Sequence, residues 1–179
     1  MRSRGFTLIE LMVVVVIIGL VSAGFLLSLN SAGRDSQLER ERDRLATLID
    51  YVRERAALQT VEYGLRCQQD GYQFVMYDTR KSLWAEDLLD DSLRARILPP
   101  GLAIALSVEG KTILLPQRRT DRKGKSIEID LTPQLMLFSN GDLTPFKLTL
   151  ERSGTGRSTV VSSDKQGKVV SGELIEAPT

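Results

Sequence analysis

From Leu11 to Leu29 the chain reads LMVVVVIIGLVSAGFLLSL, nineteen residues without a charge. No other feature restricts the fold so strongly. As a helix the run rises about 28 Å, close to the thickness of a bilayer hydrocarbon core. The core helix of a soluble domain seldom stays apolar on every side for that length, because one face must meet water. Met1-Arg2-Ser3-Arg4 precedes the run, and the positive-inside rule sets Arg2 and Arg4 on the cytoplasmic side. The expectation is a single span, with the N-terminus inside and the rest of the chain across the membrane.

The segment departs from an ordinary secretory signal, which has a shorter apolar stretch followed by small residues at its cleavage site. Here the small residue, Gly5, comes before the run. A cut between Gly5 and Phe6 would leave the hydrophobic helix on the mature protein. It would also remove both leader arginines, leaving 22 Lys and Arg against 23 Asp and Glu. Glu10 is the residue out of place. A carboxylate costs about 2.5 kcal/mol or more at the centre of a bilayer and less near its interface, so such groups are usually functional and paired with a cation. The α-amino group that cleavage would create on Phe6 is four residues away, within the chain or on a neighbour. A place among lipid headgroups is the plain alternative.

The string Arg4-Gly5-Phe6-Thr7-Leu8-Ile9-Glu10-Leu11-Met12-Val13-Val14 resembles the class III signal of type IV pilins and type II secretion pseudopilins. The resemblance implies cleavage after Gly5 by a prepilin peptidase, N-methylation of Phe6, and a role for Glu10 in docking the subunit into a helical fibre. Gly19 matches a glycine common in the helix of that family. Leu27 stands where many major subunits carry a helix-loosening proline, which points to a minor subunit.

Past the apolar run, Asn30 to Asp35 holds small and polar residues, with Gly33 placed to loosen a helix at the membrane exit. From Ser36 the pattern is amphipathic. Leu38, Leu45, Leu48, Ile49, Val52 and Ala56 recur on one face, while Glu39 to Arg44 crowd the others with alternating charge, a solvated face. After Gln59 the period becomes two. Val61–Cys67 and Tyr72–Tyr77 flank a turn at Gln69-Asp70-Gly71, a hairpin signal. Further strands are expected at Leu102–Val108, Thr112–Leu115, Ser126–Leu131, Gln134–Phe138, Phe146–Glu151, Ser158–Ser162 and Lys168–Leu174. Leu83 to Leu93 reads as a loop or a short helix. The fold class is therefore α+β: a long hydrophobic then amphipathic N-terminal helix, followed by an antiparallel β-sheet or a two-sheet sandwich. The divisions are a leader at 1–5, a transmembrane and fibre-core helix at 6–29, an amphipathic continuation at 30–60, and a periplasmic β-rich domain at 61–179.

Within that domain, Gly71-Tyr72-Gln73-Phe74, Trp84, Leu93-Arg94-Ala95-Arg96 and Leu98-Pro99 look like the minor pseudopilin H family, grouped with the FimT-like minor pilins. Gly141-Asp142-Leu143-Thr144-Pro145-Phe146-Lys147-Leu148 looks like the closing strand pair of the secretion pseudopilin. The calcium-binding C-terminal pattern of major pseudopilins is not apparent. What the resemblance implies is a minor subunit of the type II secretion pseudopilus, anchored in the bacterial inner membrane. Its partners would be other pseudopilins and the prepilin peptidase and methyltransferase. The alternative is a FimT-like minor pilin that binds DNA or primes pilus assembly.

Composition removes most enzymatic readings. The formal net charge is +1, which gives no reason to expect nucleic acid or a charged surface as the main partner. Histidine is absent, and with it the commonest general base and transition-metal ligand. One cysteine, Cys67, forms no intrachain disulfide and reads as a small buried apolar residue. Asp87, Asp90 and Asp91 could hold calcium through oxygen ligands, but their spacing matches no EF-hand and a solvated loop is the better reading. Trp84 reads as a core or edge anchor. Arg118, Arg119, Arg122, Lys123 and Lys125 concentrate five cations in a stretch that could touch phosphates or an acidic partner, and that reads first as a solvated hairpin loop. Neither a cofactor nor catalysis is expected.

Overall fold

The structure is a computed structural model describing residues 8–118 and 130–176, with the side chains of 23–35 outside the description. It divides into two compact units, residues 1–37 and 38–179. Helix α1 runs Leu8–Gln59. In the first unit every described side chain from Leu8 to Ser22 is exposed. Among the described residues no helix is long and apolar enough to cross a membrane; the second half of the Leu11–Leu29 run has side chains outside that description.

In the second unit α1 is amphipathic as its spacing predicts. Leu38, Leu45, Ile49, Val52 and Ala56 are fully buried, and Leu48 is half-buried at the edge of the stripe. Position 41 belongs to the same stripe by its three- and four-residue steps. Glu41, expected on the solvated face, is accordingly buried and pairs with Arg96. Helix α1 ends in a left-handed residue, Thr60 at φ 55°, and Val61 N–H donates to the Ala56 carbonyl at 3.2 Å.

Two antiparallel sheets follow. The first has the order β3-β2-β1-β7, with β4 also on β2; its strands are β1 Tyr63–Gln68, β2 Gly71–Asp78, β3 Leu83–Glu86, β4 Arg96–Ile97 and β7 Leu135–Leu137. The second has the order β10-β9-β8-β5-β6, with β11 also on β9. Its strands are β5 Leu102–Val108, β6 Lys111–Ile113, β8 Phe146–Arg152, β9 Arg157–Ser163, β10 Val169–Ser171 and β11 Ile175–Glu176. Alternation fixes the faces: along β8, Phe146, Leu148 and Leu150 turn inward while Lys147 and Glu151 face water. The hairpin at Gln69–Gly71 is present with Cys67 opposite Tyr72. Its turn ties the sheets together, because Ile104 N–H donates to the Gln69 carbonyl at 2.9 Å. One core, drawn from α1, Leu65, Phe74, Leu106, Leu148 and Val161, lies among these three layers.

Several strand expectations change. Leu83–Leu93 is neither loop nor helix throughout; it is strand β3, a turn, and a 3-10 turn at Asp91–Leu93. The two-residue strands β4 and β11 carry too few residues to show a period. Thr112–Leu115 shifts to Lys111–Ile113, and Lys168–Leu174 shortens to Val169–Ser171. Of Ser126–Leu131, residues 126–129 lie outside the described residues, and Asp130 and Leu131 are not in a strand.

Two substitutions test this architecture. A Cβ on Gly64, in the central strand β1, would drive into the Pro133 ring, so Gly64→Ala should cost about 1–3 kcal/mol in a urea titration. Thr60→Gly removes a strained left-handed β-branched residue and should stabilise by about 1 kcal/mol in the same assay.

Candidate functional site

Two features of α1 stand out. The first is its N-terminal stretch. Leu8, Ile9, Leu11, Met12 and the residues through Val21 are exposed around the whole helix, although all but Glu10, Gly19 and Ser22 of residues 8–22 are hydrophobic. Such a surface requires a lipid or protein surround. Glu10 lies in the first helical turn, where the positive end of the helix dipole favours a carboxylate. Gly5, Phe6, Arg2 and Arg4 lie outside the described residues.

The second feature is a clamp between the C-terminal half of α1 and the first sheet. Strand β3 pairs with β2 and so carries the following residue, Asp87, under the helix. The Asp87 side chain is 3% exposed, and its Oδ2 accepts from Arg55 Nη2 at 2.9 Å and from the Tyr63 hydroxyl at 3.0 Å. Arg55 Nη1 reaches Asp90 Oδ2 at 2.9 Å and the Tyr51 hydroxyl at 3.0 Å, and the Tyr51 hydroxyl donates to the same Asp90 oxygen at 2.7 Å. Arg55 Nε donates to the Tyr63 hydroxyl at 3.1 Å. That hydroxyl has one proton, with both Asp87 and Gln59 in reach to accept it. One guanidinium thus bridges two carboxylates and two phenols.

The titration behaviour follows from these contacts. The hydrogen bond that Arg55 donates to the Tyr63 hydroxyl comes first, and with the bond to Tyr51 and the nearby Asp87 charge it raises the Arg55 pKa against desolvation. Burial raises the Tyr63 phenol, opposed by Arg55. The Ser92 hydroxyl first, then Tyr51, hold Asp90 below the ordinary aspartate value. The acidic group read as a solvated loop is therefore split: Asp87 and Asp90 are committed to Arg55, and only the Asp91 side chain is largely exposed. Nothing in the local spacing marks Arg55 as their partner, since the pairs span 32 and 35 residues.

On the other flank α1 is tied to the second sheet. Arg42 Nη1 donates to the Gly172 carbonyl at 3.0 Å, and Arg53 Nη1 to the Gly167 carbonyl at 2.5 Å. Of the five cations in the basic stretch, Arg118 is described. Its side chain is 13% exposed and lies 3.4 Å from Asp70, against the Gly71 backbone. Arg119, Arg122, Lys123 and Lys125 lie outside the described residues. Trp84 stacks edge-on to Tyr77 at 5.3 Å on the sheet edge. Burial pushes the Cys67 thiol up to about 12, so it is protonated at neutral pH.

A groove of about 960 Å³ at one end of the sheets is lined by Phe138, Asp142, Leu143 and Asp164 among others. Its polar groups are engaged in turns: Asp164 Oδ1 accepts from Gln166 and Lys168 N–H at 2.8 Å each, and Ser163 Oγ accepts from Phe146 N–H at 3.0 Å. The arrangement is structural.

The clamp makes a pH prediction. The folded pKa of Asp90 is lowered, so its contribution is present above the unfolded value and is lost as pH falls through the lower folded value. Asp90→Asn should therefore destabilise at pH 7, with the difference from the parent closing below about pH 4 in denaturation curves. Asp87→Asn should cost about 1.5–3 kcal/mol at pH 7, from the loss of buried charge-assisted bonds.

Comparison with known proteins identifies the family. The model of the prokaryotic N-terminal methylation motif matches residues 1–26. The type II secretion system protein H of Pseudomonas aeruginosa is 39% identical over 163 residues, covering 90% of this chain and 91% of the relative. Its counterpart in Aeromonas hydrophila is 29% identical over 150 residues, 83% and 81% of the two chains. The crystal structure of the minor pseudopilin EpsH from the type II secretion system of Vibrio cholerae superposes with a TM-score of 0.63 at 17% identity. It covers 80% of this chain and 99% of that one, a likeness of fold. Motif, relatives and fold converge: the chain belongs to the type II secretion system protein H family.

Proposed function

We propose that the chain is held in the inner membrane by α1, with its N-terminus cytoplasmic and its β domain in the periplasm, and enters the pseudopilus as that fibre drives export of folded proteins. A prepilin peptidase cuts between Gly5 and Phe6 and the new Phe6 amine is methylated. The freed amine pairs with the Glu10 carboxylate of a neighbouring subunit while the apolar stems pack side by side. Other pseudopilins, major and minor, are the partners. The observation that supports this reading best is a helix exposed and apolar around its whole circumference, with one carboxylate in its first turn. In lipid the apolar surface of that helix is satisfied; in a fibre its neighbours replace the lipid. The role is assembly, and chemistry on the chain is limited to its own processing.

Glu10→Ala should leave membrane insertion intact, since it removes a charge from an apolar segment. It should lower co-purification with the other pseudopilins at least tenfold, measured by quantitative immunoblot after detergent extraction. Wild-type co-purification together with wild-type secretion would reject the docking role.

A further inference from the structure

The hairpin that joins β8 to β9 reads Arg152-Ser153-Gly154-Thr155-Gly156-Arg157-Ser158, a glycine-rich turn between two arginines. Register puts those arginines side by side. Glu151 pairs with Ser158, and one further step of the same antiparallel ladder sets Arg152 opposite Arg157, on one face of the sheet. Leu102 pairs with Arg152 and Glu176 with Arg157, so this row of the sheet holds two arginines and one glutamate. Like charges directly opposite each other destabilise a sheet. Arg152 is in phase with Phe146, Leu148 and Leu150 and is only 7% exposed, at the end of the core. Both arginines have contacts within the chain, and the several N–H donors of a guanidinium serve more than one acceptor. With Ser158, Glu151 and Gly156 they line a cavity of about 180 Å³. Gly154 and Gly156 stand at φ 82° and 64°, and the space around Gly154 is open, so a ligand reaches the loop backbone without meeting a Cβ.

We propose that this hairpin is a phosphate site whose ligand is a lipid headgroup of the membrane that holds the subunit, an inference that rests on the anchored reading above. Two guanidiniums and a hydroxyl are a donor set suited to phosphate oxygens. The place of the loop in the β-bearing unit identifies the source. Arg53 of α1 reaches the carbonyl of Gly167, near the Ser163 end of β9. Arg42 reaches that of Gly172, whose N–H donates to Val160 in the middle of β9. Following β9 back from Ser163 to Arg157 therefore follows α1 back from Arg53, past Arg42 and towards Leu38, the first core residue of the unit. The uncharged run ends at Leu29, nine residues before Leu38, a tether of at most about 32 Å. Headgroups are thereby held within reach at a high effective concentration, which dissolved phosphate is not. Nucleic acid is the poorer fit. Glu151 and Glu176 offset the two arginines, and duplex binding draws its affinity from many phosphate contacts.

The test uses the full chain in lipid nanodiscs, made either of phosphatidylglycerol or of an uncharged glycolipid that has no phosphate. Amide hydrogen exchange at residues 153–158 should be at least about fivefold slower in the phosphatidylglycerol discs. The difference should shrink in about 1 M salt, where the Debye length falls to about 3 Å. It should also be lost in Arg157→Gln, at the half-buried arginine, while exchange in β5 and β8 stays as in the parent. The comparison between discs needs no variant, so it decides the matter even if Arg157→Gln misfolds. Equal exchange in the two kinds of disc would overturn the proposal. Protection in glycolipid discs by added inorganic phosphate or a short DNA duplex, unmatched by phosphatidylglycerol, would overturn it as well. A chain that enters discs of neither lipid would reject the anchored reading itself, a failure distinct from an inserted chain with an unprotected hairpin.

Discussion

A helix that is apolar on every side cannot stand in water, and from Leu8 to Val21 this chain has such a helix with its side chains exposed. Everything else in the molecule is arranged around supplying that helix with a surround and with a load. An apolar surface of this kind requires lipid or protein around it. The load is the β domain, and it is attached through the same helix, whose later residues change from all-round apolar to a single buried stripe. Because Leu38, Leu45, Ile49, Val52 and Ala56 are part of the domain core, the helix is a structural member of the domain as well as the thread that leads from it.

Apolar packing alone would allow the helix to slide or rotate along the sheets by small amounts. Directional contacts on both flanks oppose this. Arg55 reaches Asp87 and Asp90 on one side, and Arg42 and Arg53 reach the carbonyls of Gly172 and Gly167 on the other. Glu41 and Arg96 add a further contact one helical stretch earlier. Several of these groups are desolvated, so each would be costly to leave unpartnered, and that asymmetry gives the register its specificity.

The periodic parts of this design are legible in the sequence: the uncharged run, the three- and four-residue stripe, the alternation in β8 and the Gln69–Gly71 hairpin each depend on neighbouring residues. The N-terminal methylation motif is equally legible, since its residues lie together within 1–26. What could not be read locally are contacts joining distant residues. Glu41 looked like one more charge in an exposed run until Arg96, 55 residues on, was seen to neutralise it. Asp87 and Asp90 looked like a wet acidic loop because their partner is on the helix. Strands β4 and β11 are too short to have a period, and their pairing is set by their neighbours. Arg118 belongs by sequence to a basic stretch, and its contact with Asp70 depends on the fold bringing the hairpin turn alongside.

The account stands on the apolar helix being kept by the mature chain. Intact-mass measurement of the protein extracted from its own membranes tests this most directly. The account predicts a chain that begins at Phe6, carries one added methyl group on its amine, and retains every residue from Leu8 to Leu29. A chain that begins beyond Leu29 would contradict it, as would a mature, fibre-incorporated chain still carrying Met1 to Gly5.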